Sequence, residues 1–221
     1  MKQFLFLYPT PEYIDSEISK GTCGFHSKKE AKFLSRLKKA KSEEEKKRIR
    51  LEAANVIESE FETVYKRNLN DCIDARYRKN GFGINYLTFD NSPISDIIEL
   101  QKSDKIIENG VDFKTFTKPK PDGSYPYPDS DYILDQLEKI SELRVAGFHM
   151  WDCVERVAKR AYQRGLDTLV DEDLTEFFIG RLKDPKFDVK KYPTYDPKES
   201  PELFDLFIKA RAGRPWLFQN Y

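Results

Sequence analysis

The sequence predicts an α/β protein built on a mostly parallel sheet, and three observations predict it. Phe4–Tyr8 (FLFLY) is an unbroken apolar and aromatic run, as expected of a strand covered on both faces. Leu143–Phe148, Asp152–Gly165 and Asp167–Val170 read as strand, amphipathic helix and strand, and that succession within about 30 residues is a βαβ unit. Between these two regions, β-rich and helix-periodic segments alternate, as α/β folds require.

The elements follow in chain order. After the first strand a polar loop runs through Gly21–His26 (GTCGFH), and a long helical segment, 28–79, begins. Ser27 and Ser42 suit helix N-caps, and Ser42 with Glu45 has capping-box spacing. From Ile49 through Ile73 apolar residues recur at three and four, one face of an amphipathic helix that should stop at Asn80-Gly81. The charge run Lys38–Arg50 reads as a solvated helical hairpin. Its interleaved Glu residues argue against a nucleic-acid patch.

Gly83–Phe89 (GINYLTF) reads as a second strand and Asp104–Ile107 as a short third. The prolines and Asp122-Gly123 in Lys118–Pro128 mark a structured loop, and the tyrosine- and proline-rich stretch Tyr125–Tyr132 could form an aromatic lid over the crevice or simply pack there. Asp131–Ile140 reads as a helix. Past Val170, Glu172–Leu182 reads as helical, 183–201 as loop and Pro201–Ala212 as a last helix. Pro215–Phe218 should tuck apolar side chains against the body. The expected organisation is one domain over 1–221, with 183–221 as a C-terminal extension.

Composition narrows the function classes. The 38 basic and 38 acidic residues cancel, whereas a dedicated nucleic-acid binder carries a basic excess. No apolar stretch approaches the ~20 residues of a membrane span. The first apolar run stops at Pro9, too short for a signal-peptide core. Three cysteines imply no disulfide framework, so a reduced, cytoplasmic setting is expected.

The chemistry concentrates in Gly147–Cys153 (GFHMWDC), which holds one of the two histidines and one of the three cysteines. It forms the junction between strand and helix in the βαβ unit. Ligands of open α/β sheets bind at such carboxyl ends. A cysteine in a first helical turn feels the positive end of the dipole, which favours thiolate. Cys153 is therefore the candidate nucleophile and His149 a candidate base. Inward packing of Cys153 as a small apolar residue is the competing reading. Cys23-x-x-His26 and His149-x-x-x-Cys153 also have ligand-like spacing, so a structural zinc site is a further alternative. Asp171-Glu172-Asp173 could attract a hard cation, or form a polar edge facing solvent.

The run VAGFHMWDCV, followed by a helix ending at Gly165 and by LDTLVDED, resembles the isochorismatase-like cysteine hydrolases. The resemblance is close over about 30 residues, the size of the βαβ unit. It implies a three-layer α/β/α sandwich, a small amide or ester as substrate and no cofactor. It also admits a homo-oligomer. It further implies a base Asp at the end of the first strand, where this chain has Tyr8. The expected Lys at the end of the short third strand is Asn109, with Lys105 nearby but out of register. Two of the three catalytic positions are thus replaced. The resemblance then implies either a hydrolase with a non-standard cysteine site or an inactive relative that binds a small-molecule ligand or a protein.

Overall fold

The computed structural model describes residues 1–19, 28–60, 65–148, 150–175 and 212–217. It has an α/β fold around a five-stranded sheet of order β3-β2-β1-β4-β5. The strands are β1 (Lys2–Leu7), β2 (Gly83–Thr88), β3 (Lys105–Glu108), β4 (Glu142–Gly147) and β5 (Asp167–Thr175). Every pairing is parallel, consistent with a three-layer sandwich.

The central strand explains its own composition. β1 pairs with β2 on one side and β4 on the other, and Phe4, Leu5, Phe6 and Leu7 are all fully buried. Each such side chain contributes roughly 1.5–3 kcal/mol relative to exposure. The order places β1 where the chain reverses direction across the sheet. Its carboxyl end, beside that of β4, is therefore a topological switch point.

Between β1 and β2 lie α1 (Pro11–Ser19), α2 (Lys28–Lys39), α3 (Glu43–Glu60) and α4 (Lys66–Cys72). Ser42 caps α3 by accepting from the Glu45 amide at 3.1 Å, and the Glu45 carboxylate reaches back to the Lys41 amide. α2 and α3 form the charged hairpin read from the sequence, clamped by a two-pronged Arg36–Glu52 ion pair. α4 widens into a π-helical turn, Ile73–Tyr77, and tightens to a 3₁₀ turn before Gly81. Gly81 stops the segment in the left-handed conformation, φ 76°.

Beyond β3 come α5 (Phe113–Phe116) and α6 (Ser130–Gln136), then β4. α6 is shorter than the Asp131–Ile140 reading because Leu137 is already extended (ψ 146°). A π-helical turn, Met150–Val154, leads into α7 (Glu155–Gln163), whose Val157, Ala158 and Ala161 pack inward. α7 contacts β4, β5 and α6.

The expected helix from Glu172 is overturned at its start. β5 continues through Thr175, which pairs with Gly147 across an irregular step in the ladder, and Asp171, Glu172, Leu174 and Thr175 are buried. Acidic letters suggested a solvated helix, but Asp171 has an ion-pair partner inside the protein, described below. The rest of that helix, the 183–201 loop and most of the last helix lie outside the described residues. Trp216 and Leu217 are buried as expected, and the Val170 amide donates to the Trp216 carbonyl at 2.9 Å, covering the β5 edge.

Candidate functional site

Three strand ends and one helix start build the site. Tyr8 follows β1 directly and is held left-handed at φ 59°, a conformation that costs a bulky residue about 1–3 kcal/mol. The surroundings impose it: its amide donates to the Leu87 carbonyl at 2.7 Å and the side chain is fully buried. The ring stacks on Phe89 (centroids 4.4 Å apart) and tilts against Phe116 at 5.4 Å.

Asn109 follows β3 and is nearly buried. Its Oδ1 accepts from the Val111 amide at 3.0 Å, which fixes the side-chain amide so that Nδ2 donates to the Tyr8 hydroxyl at 3.3 Å. Cys153 is the other side-chain hydrogen-bond partner of the Tyr8 hydroxyl. Cys153, 2% exposed, sits in the π-helical turn that opens α7.

Gly147 makes this convergence sterically feasible. It has φ 119°, and a Cβ there would meet the Leu7 carbonyl oxygen at 2.3 Å and amide nitrogen at 2.5 Å. The Phe148 amide then donates to the Leu7 carbonyl at 3.1 Å. The close passage of β4 over the end of β1 brings Cys153 to Tyr8.

The phenol at the centre of the site is held in its neutral form. The Tyr8 phenol is pushed well above its ordinary range, first by burial and then by the neighbouring Cys153, with the Asn109 donation opposing. It therefore stays protonated near neutral pH. It can donate a hydrogen bond to sulfur but cannot take the thiol proton.

One rim of the site is aromatic and charged. Tyr127 donates to the Asp152 carboxylate, its pKa pushed up to about 12 by burial, by that bond and by the charges of Asp152 and Cys153, with Arg156 opposing. Arg156 pairs with Asp152, and its guanidinium lies over the Tyr127 ring at 4.5 Å. Tyr127 also meets Phe116 edge-on at 6.1 Å. The sequence left open whether this tyrosine loop covers the crevice; its Tyr127 reaches Asp152 and Arg156, which flank Cys153 in the chain.

Of the other candidates, His149, Cys23 and His26 lie outside the described residues. Among the described residues no group of three or more His, Cys, Asp or Glu could hold a metal. The acidic run lies within β5, and its first two residues are no solvent-facing edge: Asp171 and Glu172 are buried, and Asp171 takes both Arg76 bonds at 3.1 Å and accepts from the Tyr77 hydroxyl. Sequence reasoning missed this pair because its partners lie 95 positions apart.

Comparisons with protein-family models, with curated proteins and with solved structures found no match.

Proposed function

We propose that this chain is a remote isochorismatase-like domain whose hydrolytic site has been replaced, and that it binds a small-molecule ligand at the crevice rather than cleaving it. The observation that carries this reading is the meeting of Tyr8, Asn109 and Cys153. The resemblance assigns these three positions to base, cation and nucleophile, which supports the architecture. Their side chains argue against the activity. Thiol catalysis needs a base to take the proton and a charge to favour thiolate; a buried phenol and a carboxamide supply neither. The strained Tyr8 backbone adds support, because such strain persists where a site over-determines it.

A second reading has its own observation. Cys153 lies in a first helical turn and faces the Tyr8 hydroxyl, and both features favour thiolate. Cys153 as nucleophile with His149 as base would then hydrolyse a small amide or ester.

Assay of small amides and esters with the native chain and Cys153→Ala separates the two, alongside a thermal-shift screen of small neutral compounds. The binding reading expects equal, background turnover and a stabilising compound whose effect falls in Tyr8→Phe. Turnover abolished by Cys153→Ala would overturn it in favour of the hydrolase.

A further inference from the structure

We infer that the segment between α5 and α6, residues 117–129, is a lid over Cys153 latched by Tyr127. The inference rests on reading this crevice as a ligand site. The segment is tied down at its two ends: Phe116 is buried at one, and Asp129 caps α6 at the other. Its tip folds on itself. The Lys120 amide donates to the Ser124 carbonyl, the Gly123 amide to the Lys120 carbonyl at 2.8 Å, and Asp122 takes the Ser124 amide and hydroxyl. Residues 119–125 are exposed.

Among the described residues, the hydrogen bonds and ring contacts that join 119–128 to the body run through Tyr127, to Asp152, Arg156 and Phe116. The latch is weak by its setting. The Arg156 and Asp152 side chains are 57% and 29% exposed, and solvated pairs of this kind hold little energy. Cys153 is 2% exposed, so a reagent reaches its thiol only when something moves. Pro119, Pro121, Pro126 and Pro128 restrict the stem, so it should swing as a unit about its ends. Tyr127 is then the group that sets how often the crevice opens.

The test is the rate of iodoacetamide labelling of Cys153 in the full-length native chain at fixed pH, read by peptide mass spectrometry with Cys72 as internal control. Cys72 is fully buried in the core. Tyr127→Phe, which deletes only the hydroxyl bond, should speed Cys153 labelling about threefold to tenfold. Tyr127→Ala should speed it further, with Cys72 unchanged. Unchanged Cys153 rates in both variants, or a parallel rise at Cys72, would overturn the latch, the latter by showing that access needs global opening. The readout requires neither a ligand nor turnover, so it stands or falls apart from the binding assay.

Discussion

Asn109 donates through Nδ2 to the Tyr8 hydroxyl at 3.3 Å, joining residues 101 positions apart and tying the carboxyl end of the edge strand β3 to that of the central strand β1. Because Tyr8 also faces Cys153, one phenol connects three elements that the sheet order alone would leave separate.

Tyr8→Phe should therefore cost more than an exposed hydroxyl would. It keeps the stacked ring but leaves the buried Asn109 amide and the thiol without their common partner. Chemical denaturation should show a loss of about 1–3 kcal/mol. A change below about 0.5 kcal/mol, the scale of ordinary surface substitutions, would mean that the hydroxyl bonds contribute little.

Gly147→Ala tests the close passage of β4 over β1. Alanine brings a φ penalty together with a Cβ inside contact distance of Leu7 backbone atoms that cannot yield locally. A loss of about 3 kcal/mol or more is expected, measured by thermal or urea unfolding, together with faster labelling of Cys153 as the junction shifts. A near-neutral alanine would contradict the packing described.

The interior ion pair makes an asymmetric prediction. Asp171→Asn removes one charge of a buried pair, the carboxylate that takes both Arg76 bonds, which should cost about 3–5 kcal/mol. The double variant Arg76→Met/Asp171→Leu removes both charges and should cost less than Asp171→Asn alone. Equal damage from the two would show that the charge left behind is not the cause.

Acid stability has a surface contribution from α6 and α7. Asp131 takes hydrogen bonds from Arg160 and Arg164, and Arg160 first, then Arg164, lowers its pKa. A depressed folded pKa gives stability that is present above the unfolded value, about 3.9, and lost as pH falls through the folded one. Asp131→Asn should flatten the fall of stability below about pH 4 while leaving the pH 6–8 region level. An unchanged acid limb would assign that loss to other carboxylates.

The parts of this molecule that were legible in the sequence are those governed by local pattern. The apolar run of β1, the Ser42 cap, the Gly81 stop and the β4–α7–β5 unit each follow from periodicity or from one residue's conformational freedom. Tyr8, Asn109 and Cys153 could be placed because each sits at the end of an element whose limits were readable. The Arg76–Asp171 pair was not readable, since its pairing exists only after the fold brings β5 to the π-helical turn that follows α4. For the same reason Glu172 looked like a helix start: nothing local marks an acidic residue as buried. The Tyr127–Asp152–Arg156 contact was equally hidden, because a proline-rich loop declares that it turns but not where it lands.

The most direct test of the account is the titration of Cys153 itself, by following its alkylation rate from about pH 5 to 10 in the native chain. A neutral site of phenol, carboxamide and enclosed thiol predicts a midpoint at or above the ordinary value of about 8.5. A midpoint below about 7, the range of activated thiolates, would contradict it and return Cys153 to the role of nucleophile.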